Sequence, residues 1–196
     1  MPKVVAEYKQ QARRRIVDAA SRVFSKKGYH RTTMDDIASE LGVSKGALYL
    51  YFRNKEGLVK EICKIAPAQL REALASSFSG RDMLTGASDF FEGSLARSLT
   101  GLGLYFEIIG EAYRSHSVRR ILALSYAQSL QILIEFMMKL RAEGRVRSDF
   151  DVSSLARGLI AIHDGLMANI AIGNQPSEAK EAWNETIRVL MRGIQP

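Results

Sequence analysis

Twenty-seven residues, from Thr32 to Leu58 (TTMDDIASELGVSKGALYLYFRNKEGL), leave the backbone few choices. Thr33 is placed to cap a helix: its hydroxyl can accept from a free backbone N–H, and Asp36 sits at the return position of a Thr-x-x-Asp capping box. Ile37, Ala38 and Leu41 then fall on one helical face. Gly42 follows at the point where a helix end needs a residue tolerant of positive φ. Val43 is expected to plug the corner. Ser44 should cap a second helix, Lys45 to Tyr51, with Leu48 and Phe52 pointing inward. Asn54 should cap a third helix, with Leu58, Ile62 and Ile65 as its apolar face. Two short helices joined by a tight glycine turn have helix-turn-helix spacing.

The whole string, T-T-x-x-x-I-A-x-x-L-G-V-S-x-G-x-L-Y-x-Y-F-x-x-K-x-x-L, resembles the DNA-binding domain of the tetracycline repressor (TetR) family, over roughly the first third of the chain. The resemblance implies an N-terminal three-helix DNA-binding domain, residues 1–54. It also implies a C-terminal helical domain for ligand binding and dimerisation, residues 55–196, whose first helix is shared between the two.

Composition agrees with an all-α chain. There are four prolines in 196 residues, hydrophobic residues make up 46%, and apolar positions recur at spacings of three and four without strand-like alternation. About nine helices are expected. Glycine and proline mark their ends, and Pro67 should kink a long helix running from Asn54 to Phe78. In the helix after Asp82, Leu84, Phe91, Leu95 and Leu99 share a face that Gly86 and Gly93 weaken. Asp149 or Asp151 should cap the penultimate helix, and Ser177 the last.

Charge is unevenly spread. Residues 1–64 carry fourteen Lys/Arg against seven Asp/Glu, while residues 65–196 carry fourteen of each, so the whole excess of +7 lies with the helix-turn-helix. Such a surface suits nucleic-acid phosphates, and the attraction should weaken with salt. The charged N-terminal MPKVVAEYKQQARRR has no apolar core behind it, and no run of about 18 apolar residues is evident, so a cytoplasmic protein with no membrane contact is expected. Cys63, the single cysteine, falls among apolar residues and reads as a core side chain.

The second helix of such a unit presents its N-terminal residues to the major groove. Lys45 can reach guanine acceptors or a phosphate, and Gly46 and Ala47 are small enough for close approach. Thr33 and Ser44 offer hydroxyl and N–H donors to phosphates. The family resemblance implies phosphate contacts from the hydroxyls of Tyr49 and Tyr51 and from Lys55. Leu50 departs from the polar or aromatic residue common there, which leaves contact with a thymine methyl.

No catalytic site is expected. His30, His116 and His163 are far apart, and no HExxH, CxxC, GxSxG or phosphate-binding glycine loop occurs; metal and cofactor are likewise not expected. Gly158, Ala161, Gly165 and Ala168 form a small-residue stripe that suits a close helix neighbour. With Trp183, Ile187 and Leu190 of the last helix, this stripe is read as a homodimer interface, and the resemblance implies a four-helix bundle from the last two helices of each subunit. An apolar block including Phe90, Phe91, Tyr105, Phe106, Ile109, Tyr113 and Tyr126, together with His163, is the candidate lining for a small lipophilic inducer. Glu107 with Glu111 could hold a cationic end of such a ligand, and Arg114, Arg119 and Arg120 an anionic one. The expected protein is a dimeric, ligand-responsive repressor of a pseudo-palindromic DNA operator, released by a fatty acid or acyl-CoA. The alternatives are release by a lipophilic cation, or a constitutive regulator without ligand.

Overall fold

A computed structural model of the chain describes residues 2–98 and 101–194. These residues form α1 (Pro2–Lys27), α2 (Met34–Leu41), α3 (Lys45–Tyr49), α4 (Lys55–Cys63), α5 (Ile65–Phe78), α6 (Met83–Ser98), α7 (Leu102–Arg114), α8 (His116–Ala142), α9 (Val152–Ala171) and α10 (Pro176–Ile194), with no strand among them. Leu99 lies outside the described residues.

One more helix is present than the pattern predicts, because the long helix through Pro67 is broken rather than kinked. Pro67 has no N–H to give Cys63, and the ladder tightens just before it, with Lys64 N–H donating to Glu61 O at 3.2 Å. Pro67 then occupies the first turn of α5, where its missing donor leaves no bond unmade. The last helix begins two residues earlier than a Ser177 cap requires: Pro176 is its first residue, which suits a fixed φ and an absent N–H. Asp151, not Asp149, caps α9, accepting from the N–H groups of Ser153 and Ser154.

The chain divides into two compact units, one comprising residues 1–65 and 103–124, the other 66–102 and 125–196. In the first unit Ile16, Ala20, Val23 and Phe24 of α1 pack with Ile37, Leu48, Phe52 and Leu58, and the same core takes in Leu104 and Ile108 of α7 and Val118 of α8. Burying Phe24, Leu48 and Leu58 contributes about 1.5–3 kcal/mol each. The helix-turn-helix core is therefore completed by segments far along the chain.

In the second unit α10 packs on α6 and α9. Trp183 is its centre: the indole Nε1–H donates to Ala87 O at 2.8 Å and the ring stacks on Phe91 at 5.3 Å. Gly86 lies where α6 meets α5; a Cβ there would stand 2.5 Å from the Phe78 ring, so the residue that weakens the helix also admits its neighbour. Contrary to the reading above, α8 is long and apolar enough to cross a membrane by length and composition. Its Leu130, Ile132, Met137 and Leu140 are buried, whereas Leu124, Tyr126 and Met138 are exposed.

Candidate nucleic-acid interface

The reading helix α3 is five residues long and cannot stand alone. It is built from its flanks. Thr33 Oγ1 accepts from Asp36 N–H at 3.1 Å while Asp36 Oδ2 accepts from Thr33 N–H at 2.9 Å, closing the capping box of α2. Gly42, at φ +68°, ends α2 with its N–H donating to Ser39 O at 3.1 Å, and Val43 N–H returns to Ala38 O at 3.0 Å. Ser44 Oγ then accepts from Ala47 N–H at 3.2 Å to start α3. The corner is made by these backbone bonds rather than by a plug: the Val43 side chain is exposed.

Leu48 and Phe52, both buried, fasten α3 from beneath. Arg13 of α1 holds the far side: its guanidinium donates to Tyr51 O at 3.2 Å and Glu61 Oε1 at 3.2 Å, and lies 4.4 Å over the Phe52 ring. One arginine of the 13–15 run is thus structural, a role that sequence spacing did not single out. Ile65, expected on the inner face of the third helix, is exposed.

What this scaffold leaves outward is compact. Ser44, Lys45, Gly46, Tyr49 and Leu50 are exposed, Leu50 at 85%. Lys45 Nζ sits 2.8 Å from Asp35, whose hydrogen bond and charge raise the Lys45 pKa above the ordinary lysine value. The ammonium is thus fully charged and held beside Tyr49. Arg53, exposed just beyond Phe52, adds a positive charge the sequence reading passed over.

The other predicted DNA residues are placed differently. Thr33 is exposed, but its hydroxyl is spent on Asp36 in both directions. Ala47 and Tyr51 are half-buried. Lys55 Nζ donates to Tyr29 O at 2.7 Å and His30 O at 3.3 Å and stands 4.5 Å from the Tyr29 ring centroid, so it braces the α1–α2 turn and keeps one donor for anything outside.

The candidate ligand residues separate between the units. Tyr105, Phe106, Ile109 and Tyr113 belong to the first, Phe90, Phe91, Tyr126 and His163 to the second. Tyr113 is 85% exposed and does not line an interior; Tyr105, Ile109 and Tyr126 are also exposed. Phe90, Phe91 and His163 do come together around Trp183, with ring centroids 5.3–6.2 Å from the indole. His163 Nε2 is 2.8 Å from Ser94 Oγ and its Nδ1 is 3.2 Å from Asp164 Oδ1, so the ring is held at both nitrogens in an aromatic setting. Both charge groups assigned to a ligand's polar end have internal work. Glu107 accepts the Tyr29 N–H, Glu111 faces His30, and Arg119 donates to Ala112 O at 3.0 Å and Tyr113 O at 2.9 Å.

Of the candidate interface residues, Trp183 and Ile187 are buried inside their own unit and offer nothing to a second chain. Their spacing marked an inner face, not an outer one. Ala161 and Gly165 are exposed, Gly158, Ala168 and Leu190 half-buried, and a Cβ on Gly158 or Gly165 would meet no atom within 4 Å.

A helix-turn-helix set in a basic helical unit, with a short outward reading helix, defines a DNA-binding regulator. The chain belongs to the tetR family of bacterial regulatory proteins: residues 16–62 match that family's N-terminal description, and residues 88–194, more than half the chain, match the C-terminal domain of BetI-type transcriptional repressors. It is 26% identical to the uncharacterized HTH-type transcriptional regulator YfiR of Bacillus subtilis, over 98% of this chain and 96% of that one. It is 29% identical to the HTH-type transcriptional repressor Rv1474c of Mycobacterium tuberculosis, over 90% and 91%. A TetR-family regulator structure from Mesorhizobium loti superposes with TM-score 0.79 at 21% identity, covering 96% and 98% of the two chains. A regulator from Saccharomonospora viridis in complex with choline gives 0.74 at 22%, covering 95% and 99%. Thermus thermophilus FadR in complex with lauroyl-CoA gives 0.67 at 24%, covering 92% and 94%.

Proposed function

We propose that this chain is a ligand-responsive transcriptional repressor that binds a pseudo-palindromic operator as a homodimer in the cytoplasm. The observation that carries the DNA-binding reading is the outward face of Ser44, Lys45, Gly46, Tyr49 and Leu50 on a helix whose inner side chains are buried. Lys45 reads a guanine edge or a phosphate, Leu50 meets a thymine methyl, and Tyr49, Arg53 and the remaining donor of Lys55 meet phosphates. The experiment is selection of duplexes from a random pool by the full-length protein, followed by anisotropy titration across salt. A two-fold consensus with half-site centres about 34–36 Å apart, or a multiple of that, and affinity falling with salt support the reading. Enrichment of no duplex, or salt-independent binding, removes it.

The dimer reading is supported by the exposed small residues Ala161 and Gly165 of α9 and by the exposed apolar Ile172 and Val189. Small residues let a second helix approach closely, and a two-fold protein matches a two-fold operator.

The inducer is a small lipophilic molecule. A fatty acid or acyl-CoA is supported by Arg114 and Arg120, both exposed where α7 meets α8, which could take its anionic end. A lipophilic cation is a second reading, supported by the rings of Phe90, Phe91, His163 and Trp183; aromatic faces attract cations. A hundredfold loss of operator affinity needs about 2.7 kcal/mol of coupling. Parallel titrations of the protein–duplex complex with lauroyl-CoA, lauric acid and the lipophilic cation tetraphenylphosphonium separate the two classes. Release by the cation alone overturns the acyl reading, and release by none of the three overturns both.

A further inference from the structure

Lys45 does not project freely from the reading helix. Its Nζ lies 2.8 Å from Asp35 Oδ1 and 2.9 Å from Asp35 Oδ2, and 6.0 Å from the centroid of the Tyr49 ring. Asp35 stands in the first turn of α2 and Lys45 in the first turn of α3, and the corner between the helices brings the two together. Both side chains stay open to solvent, Lys45 at 57% and Asp35 at 59%. The pair is not what builds the corner. Asp36 closes the capping box of α2 and already sets a negative charge at that helix start, and Ser44 caps α3. An ion pair this exposed adds little stability.

Gly46, next to Lys45, points the same way. Its φ is not in the left-handed region, and a Cβ there would meet nothing closer than Ser44 Oγ at 4.0 Å. Glycine weakens a helix relative to alanine, and neither the backbone nor the packing asks for it here. The space it leaves beside the pair lies outside the protein, where a ligand approaching the backbone would stand.

We propose that Asp35 is a specificity-determining residue: with Lys45 it forms a donor–acceptor couple that reads one G·C pair in the major groove, guanine on the lysine side. This rests on the reading of the chain as an operator-binding protein. An ammonium has three donors, and one shared between the two carboxylate oxygens leaves two for guanine N7 and O6. The carboxylate keeps lone pairs that can accept from the cytosine N4–H. The spacing agrees. In a G·C pair O6 and N4 are hydrogen-bonded to each other, about 2.9 Å apart, and Lys45 Nζ and Asp35 Oδ1 are 2.8 Å apart. Each protein atom therefore faces its complement at the same time. Reversing the pair sets donor against donor and acceptor against acceptor. A T·A pair in the same place keeps one acceptor and one donor, but loses the second acceptor on the lysine side and puts the thymine methyl there instead. The carboxylate also repels phosphates, so it holds Lys45 back from the backbone contacts that any sequence offers.

The test starts from the duplex selected by the full-length wild-type protein. Each base pair of one half-site is reversed or replaced in turn, and binding is followed by anisotropy for wild type, Asp35→Ala, Lys45→Ala and the double variant. Asp36 keeps the cap of α2, so Asp35→Ala should melt at the wild-type temperature. One G·C pair should be preferred about tenfold over its reversal by the wild type. That preference should be largely lost in Asp35→Ala and in Lys45→Ala, at the same pair, and the double variant should lose no more than either single one. Asp35→Ala should also bind random duplex more tightly, with a salt slope steeper by about 1, because Lys45 is then free to meet a phosphate. Glu40→Ala removes the same charge from α2, where its partner is Arg22 at 3.0 Å, and should keep the wild-type preference. If Asp35→Ala also keeps that preference and gains affinity equally for every duplex, Asp35 is a counter-charge only and the proposal is overturned while the operator reading stands. Enrichment of no duplex in the first selection overturns the operator reading, and this proposal with it.

Discussion

Gly28→Ala offers a quantitative probe of how the first unit is assembled. Gly28 sits at φ +82°, and an L-residue in that region costs about 1–2 kcal/mol. A Cβ there would stand 3.0 and 3.1 Å from the two carboxylate oxygens of Glu107. That carboxylate is the end of a flexible side chain, so it swings aside rather than forcing the backbone. Swinging aside abandons the Tyr29 N–H, a bond to a charged acceptor worth about 1.5–3 kcal/mol, at the low end here because water reaches the site. The expected total is about 3 kcal/mol. In a Glu107→Ala background the second part is already gone, so Gly28→Ala should cost only about 1–2 kcal/mol. The assay is urea unfolding of all four proteins by far-UV circular dichroism, with the fluorescence of Trp183, the only tryptophan, reporting the second unit. A coupling energy near 1.5 kcal/mol is expected. Equal costs in the two backgrounds would refute the reasoning, because Gly28 would then be required by its φ alone.

The other predictions concern separate surfaces. Lys45→Ala and Tyr49→Phe should each weaken binding to the selected duplex about tenfold by anisotropy while leaving the melting temperature unchanged. Lys55→Ala should weaken binding to all sequences, lower the salt slope by about 1, and also lower the melting temperature, because its ammonium braces the turn carbonyls. Gly165→Arg should give a folded monomer by light scattering: the position is open within its own chain, so a variant that remains dimeric moves the interface elsewhere. Asp36 is held at about 2 by the Lys27 hydrogen bond and those of Thr33. Its contribution is therefore full above the ordinary carboxylate value and lost as pH falls toward 2; Asp36→Asn should remove that part of the acid-unfolding slope. Burial pushes the Cys63 thiol up to about 11, so at pH 8 iodoacetamide should label it far more slowly in native than in urea-unfolded protein.

Local signals carried the helix-turn-helix because its determinants are local. The Thr33–Asp36 box, the Gly42 terminus and the Ser44 and Asn54 caps each join residues within three positions, and each is present as read. The errors arise where a partner lies far along the chain. Trp183 and Ile187 have interface-like spacing, but whether that face looks inward or outward depends on α6, some ninety residues earlier. Glu107 and Glu111 looked like a cation site because their partners, Tyr29 and His30, cannot be found from helical periodicity. The apolarity of Val43 suggests a plug, yet its side chain is exposed and the turn closes through backbone bonds that any residue could make. Pro67 gave the position of the disturbance correctly but not its degree: a break left its ring in a first turn, which a kink would not.

The shortness of α3 decides what kinds of substitution can alter DNA reading. Five residues supply little helical hydrogen bonding of their own, so the helix takes its orientation from Leu48 and Phe52 below, Ser44 before and Arg13 behind. Those four are set in turn by α1, α2 and α4. Exposed residues on α3 can therefore change which bases are read without altering the helix's direction, whereas residues that touch no DNA can turn the whole reading face. The α1–α2 turn belongs to the second kind. It is the point where α1, α4 and α7 converge through Gly28, Lys55, Glu107 and Glu111, one step before the Thr33 cap. A rotation of a few degrees there is multiplied along α2 before it reaches Lys45 and Tyr49. Hydrogen bonds lengthen and weaken over a few tenths of an ångström, so on the proposed reading a substitution at the turn should lower operator affinity much as one at Lys45 or Tyr49 does.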